Sequence, residues 1–162
     1  MFYKQDKPNM AFLYWLTAHS LFRWLVLVAL FFTTGWSFRG YVLQKTFTKT
    51  GDAIRHWTAT ILHIQLILGL VVYGQSPMAK YYLSHPTEFG GEPAFFGLLH
   101  MVVMAMAVCL VTLGSARAKR KPTDREKYTT ILFWYGLALL LILLAIPWPF
   151  SPLAQRPCLR LV

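Results

Sequence analysis

Five histidines and one arginine are the residues of this 162-residue chain on which chemistry could rest. His19, His63 and His100 each fall within or at the edge of a long apolar run, and Arg23 follows His19 by one helical turn. A neutral imidazole presents one nitrogen lone pair to a metal. Two imidazoles facing each other across a helical bundle can therefore take both axial positions of a haem iron. The plainer reading is that such histidines hydrogen-bond from helix to helix inside a membrane. No Asp or Glu lies in any of the apolar runs. That argues against a carboxylate proton relay, a carboxylate ion pump and paired-carboxylate hydrolysis. Phosphate-binding glycine loops, nucleophile elbows, His-Glu-x-x-His and Cys-x-x-Cys motifs are also absent from the sequence.

The elements that must position these side chains are set by composition. Hydrophobic residues make up 56% of the chain and charged residues 14%, against about a quarter charged in a soluble domain. A helix needs about 20 mostly apolar residues to cross a bilayer, and four stretches qualify: 19–38, 54–74, 94–114 and 129–147. With backbone groups satisfied internally in lipid, they are helices. The chain therefore reads as all-α, a single integral membrane domain over 1–162 built as a four-helix bundle. Asp52 is the expected N-cap of the second span, Pro93 opens the third behind Glu92, and Ile146-Pro-Trp-Pro-Phe150 stops the fourth. The N-terminal apolar stretch is too long for a signal-peptide core and is read as retained.

The net charge of +10 is sorted by loop. Arg39, Lys45, Lys49 and Arg55 lie between the first two spans. Arg117, Lys119, Arg120, Lys121, Arg125 and Lys127 lie between the last two, whereas 75–93 holds only Lys80 against Glu88 and Glu92. The positive-inside bias puts the two basic loops in the cytoplasm and both termini outside, an N-out/C-out arrangement in a bacterial inner membrane. The basic excess is thus an address, with some contact to anionic lipid, and gives no reason to expect nucleic acid. Cys109, in an apolar run, and Cys158, in the tail, occupy different depths, so no disulfide is expected.

From rise per residue, His100 sits about 9–10 Å below the outer end of its span and His63 about 15 Å below its own, a gap that helix tilt can narrow. His63 and His100 are the expected axial pair and His19 the substitute. Arg23 could meet a haem propionate or, equally, snorkel beside Trp24. His56 reads as interfacial and His85 as a loop residue that could line a quinol or docking site. Of the methionines near His100, only Met104 shares its helical face, so copper(I) ligation has little support.

Taken together, His19-Ser-Leu-Phe-Arg-Trp24, Phe47-Thr-Lys49, His63-Ile-Gln-Leu-Ile-Leu-Gly69, His100 and Ile146-Pro-Trp-Pro-Phe150 resemble a group of small bacterial four-helix membrane proteins labelled cytochrome b. The likeness covers nearly the whole chain and extends, more distantly, to cytochrome b561-type bundles. It implies a membrane b-type cytochrome passing electrons between a quinol and a redox partner, with inward-facing histidines as ligands. The fourth span carries no His, which departs from the two-haem pattern and leaves one non-covalent haem b. The alternative expectation is a haem-free accessory subunit packed into a larger respiratory or photosynthetic membrane complex. A third, weaker one is a quinone- or copper-handling protein using His19, His85 and Met104.

Overall fold

The four apolar segments become four long helices, each starting ahead of its apolar run and all but the last continuing past its end. The structure, a computed structural model, describes residues 9–85, 90–151, 154, 156 and 157. The helices are α1 (Met10–Val42), α2 (Lys49–Gln75), α3 (Pro77–Ser84), α4 (Gly91–Lys119) and α5 (Asp124–Ala145). All but α3 are long and apolar enough to cross a membrane. No strand occurs among the described residues, and the chain is an all-α membrane bundle. Cys158, Glu88 and the N-terminal Lys4, Asp6 and Lys7 lie outside the described residues.

Capping groups explain why the helices begin where they do. The Asn9 side chain accepts from the Ala11 N–H at 3.1 Å and starts α1 well before His19. Asp52 is not the cap of α2. Thr48 takes that place by accepting from the Gly51 N–H, which leaves Asp52 in the first turn as the partner of Arg55. At the start of α5, Thr123 and Glu126 form a reciprocal capping box that extends the helix ahead of its apolar run. Glu92 and Pro93 occupy the first turn of α4, and α5 ends just before Ile146 and Pro147, both as the sequence predicts. The segment 75–93 holds an unexpected short helix, α3. Its start is written in Ser76-Pro77: the serine caps Ala79 and the proline occupies the first turn.

Packing follows chain order. α1 lies against α2 and α5, α2 against α4, and α4 against α5, so the ring closes with α1 and α4 on one diagonal and α2 and α5 on the other. The core between them contains Leu30, Leu62, Val111, Ile131 and Tyr135, all essentially inaccessible. Close approach uses small residues, as membrane helices do. Gly114 of α4 lies where any Cβ would overlap Trp134 of α5. A buried Thr33–Thr58 hydrogen bond of 2.7 Å ties α1 to α2.

The two ends of the bundle differ. At one end, the loop end, short connections join α1 to α2 and α4 to α5, and the basic residues gather there. Arg55 is the exception to its expected place in a solvated loop. It is 5% exposed inside α2, donates to Asp52 Oδ1 at 2.8 and 3.0 Å, and reaches both the carbonyl and hydroxyl of Ser115 on α4. Tyr135 of α5 donates to the Arg55 carbonyl at 2.8 Å, so one residue clamps three helices. The other end, the terminal end, carries the start of α1, the end of α5 and α3, and there the bundle opens into a cavity.

Candidate functional site

The cavity has a volume of about 180 Å³ and lies at the terminal end of the bundle, between the diagonal helices α1 and α4. α1 contributes His19 and Arg23, α2 contributes Gln65, Gly69 and Tyr73, and α4 contributes Phe96, His100, Met101 and Met104. Ile142 and Ile146 from the end of α5 close the apolar side. Cavity-facing positions on α2 include 62, 65, 66, 69 and 73, the three- and four-residue spacing of one helical face.

His19 and His100 face each other here. Their ring centroids are 6.5 Å apart and their planes lie at 77°. His100 Nδ1 is 2.9 Å from the Ala145 carbonyl oxygen of α5. A carbonyl only accepts, so Nδ1 carries the proton and donates, and Nε2 is left with its lone pair. That is how metal-binding histidines are commonly held. Phe95 and Phe96 flank the same ring, with centroids at 5.6 and 6.1 Å. On α1, the His19 carbonyl accepts from Gln65 Nε2 at 3.1 Å. Its Nδ1 is buried with no hydrogen-bond partner among the described residues, and so is Gln65 Oε1. Gly69 gives His19 its room, since a Cβ there would come within 3.1 Å of the imidazole Cε1.

His63 does not face His100. It lies on the exposed side of α2, next to the cavity-facing Leu62 and about 100° round the helix from it. Its Nε2 is 3.1 Å from Thr112 Oγ1 of α4. The Thr112 hydroxyl already donates to the Val108 carbonyl, so His63 is the donor in a hydrogen bond between helices. The ring that faces His100 is thus that of His19, the expected substitute, while His63 is engaged in a hydrogen bond between helices.

The remaining candidates separate cleanly. Arg23 lines the cavity and donates to the Pro157 carbonyl at 3.2 Å. Its guanidinium also lies 5.6 Å from the Trp24 ring centroid. His56 is exposed at the loop end against Trp57, where an interfacial residue belongs. His85 is exposed at the terminal end and stacks on Tyr81 with centroids 4.6 Å apart, away from the cavity. Met104 lines the cavity, Met106 is exposed, and Cys109 is exposed on α4. Among the described residues no three or more His, Cys, Asp or Glu cluster as a metal site.

Comparisons with protein-family models, curated proteins and solved structures find no match.

Some lining residues carry no signal in the sequence. Gln65 and Tyr73 are single polar residues in apolar surroundings. Arg156, far along the chain, reaches the cavity while holding Glu92 of α4 in a two-pronged ion pair at 2.6 Å. It also covers the Phe96 ring at 5.0 Å.

The donor set suits a haem. Two metal–nitrogen bonds of about 2 Å each plus two imidazole radii come to about 6 Å, close to the observed ring separation. His100 is held with one nitrogen free, and the lining is mostly aliphatic and aromatic, with two arginines. The cavity is smaller than a macrocycle, but Met101 and Met104 are unbranched side chains that repack readily.

Proposed function

We propose that the protein is a membrane b-type cytochrome that holds one non-covalent haem b between His19 and His100 and passes electrons between a quinol and a redox partner. The supporting observation is the facing imidazole pair, 6.5 Å apart on diagonal helices in an apolar cavity. Haem supplies reversible one-electron exchange at its iron. The chain's residues do the rest. His19 and His100 provide nitrogen ligands, and the Ala145 carbonyl fixes the tautomer of His100. The aliphatic walls keep water away. Arg23 places positive charge where a propionate carboxylate would need it and favours the more electron-rich state of the site.

In this reading the loop end, with its concentration of Lys and Arg, faces the cytoplasm of a bacterial inner membrane, and the cavity opens towards the outer leaflet. A quinol, itself dissolved in the bilayer, would deliver electrons at that level. The test is a reduced-minus-oxidised optical spectrum of protein purified from haem-supplied cells. A b-type α-band at about one haem per chain is expected; protein that stays colourless under those conditions sinks the proposal.

A further inference from the structure

Helix α4 is not α-helical throughout. Over Phe95–Leu99 it widens into a π-helical turn, and the His100 N–H donates to the carbonyl of Phe95, five residues back instead of four. Each residue of an α-helix advances the side-chain direction by about 100°. An extra residue in one turn therefore changes the face on which every later side chain emerges. The direction in which His100 leaves the helix depends on whether this turn is kept. Such turns give up regular α-helical bonding and occur frequently at functional sites.

Two neighbours hold the turn. The Tyr73 hydroxyl of α2 donates to the carbonyl of Gly97, in the middle of the widened segment, at 2.8 Å. From the other side, Tyr82 of α3 lies against Gly97 so closely that a Cβ at that position would overlap it. Beyond the turn, the Ala145 carbonyl anchors His100 itself. Tyr73 is thus the only one of these contacts that reaches the turn by a side-chain hydrogen bond from α2, the helix that also supplies Gln65 and Gly69 to the cavity.

We infer that Tyr73 is a positioning residue for His100: by binding the Gly97 carbonyl it keeps the π-helical turn in place and so aims the His100 imidazole at His19. The inference rests on the reading of His19 and His100 as a ligand pair, and it concerns how that pair is oriented.

Tyr73→Phe tests it, because the ring is retained and only the hydroxyl is lost. Two measurements on the full chain are needed. In haem-free protein, the ring proton and carbon resonances of His100, assigned with His100→Ala, should move in Tyr73→Phe while those of His63 stay in place. In haem-supplied protein, the haem that Tyr73→Phe binds should show a changed anisotropy of the low-spin ferric electron paramagnetic resonance signal. That anisotropy depends on the angle between the two axial imidazole planes. Tyr14→Phe, at an exposed position of α1, should alter neither readout. An unchanged result for Tyr73→Phe in either measurement overturns the role given to Tyr73. If wild type itself takes up no haem, the proposed function falls, and the His100 resonances of the haem-free protein alone decide the role of Tyr73.

Discussion

At the scale of single residues, position around the helix decides more than depth along it. His63 and His19 have the same chemistry, and depth alone allows either to meet His100. The rotational setting separates them: Leu62, Gln65, Leu66 and Gly69 face the cavity, and His63 faces outward to Thr112. Periodicity cannot reveal this in a helix whose other faces are equally apolar, because lipid and core select the same side chains. Arg23 was legible because charge inside a span is costly and needs a partner. Gln65 and Tyr73 were not, since each acts through one hydrogen bond to a backbone carbonyl that no sequence pattern records. Two outcomes are expected at this scale. Gly69→Leu should displace the His19 ring and lower haem occupancy while leaving the far-ultraviolet circular dichroism unchanged; full occupancy would show that the room beside His19 is unimportant. Arg23→Gln should lower the midpoint potential in a redox titration, because a cation near the site favours the reduced state. A potential that stays or rises removes Arg23 from the site.

At the scale of elements, the helices were legible and their ends, apart from the start of α4 and the stop of α5, were not. Composition is enough to mark four spans, whereas the ends depend on individual capping bonds at Asn9, Thr48 and Thr123. Thr48 caps α2 while Asp52 is engaged by Arg55 three residues on, and Arg55 also reaches Ser115, a contact that becomes visible only when α2 and α4 are side by side. The same contact takes Arg55 out of the basic loop and into the packing. Arg55→Ala should therefore lower stability by about 2–3 kcal/mol, the scale of hydrogen bonds to a charged group, as followed by thermal unfolding in detergent. Lys45→Ala, at an exposed loop residue, should change it by less than about 0.5 kcal/mol. Similar effects of the two substitutions would contradict the three-helix clamp.

For the whole molecule, charge and exposure describe one object with two different ends and an apolar girdle. Val28, Phe32, Ile67, Phe133 and Leu144 stand exposed on the long helices, as a surface in contact with lipid requires. Such a girdle would also suit neighbouring subunits in a larger complex, so apolarity alone separates neither expectation. What supports the proposed cytochrome is the cavity, where two half-buried imidazoles face each other across the bundle, one with a tautomer fixed by a peptide carbonyl. Orientation is testable independently of haem. In a background with both cysteines replaced, Cys109→Ser and Cys158→Ser, Lys121→Cys should react with a membrane-impermeant maleimide only after cells are opened, and Ser84→Cys should react in intact cells. The reverse pattern would place the cavity on the cytoplasmic side.

The central claim is that His19, not His63, joins His100 in holding haem. The haem-to-protein ratio of three purified variants tests it most directly, with folding checked by circular dichroism. His19→Ala and His100→Ala should lose haem, and His63→Ala should keep the wild-type ratio with some loss of thermal stability from the missing Thr112 contact. Haem retained in His19→Ala and lost from His63→Ala would contradict the site described above.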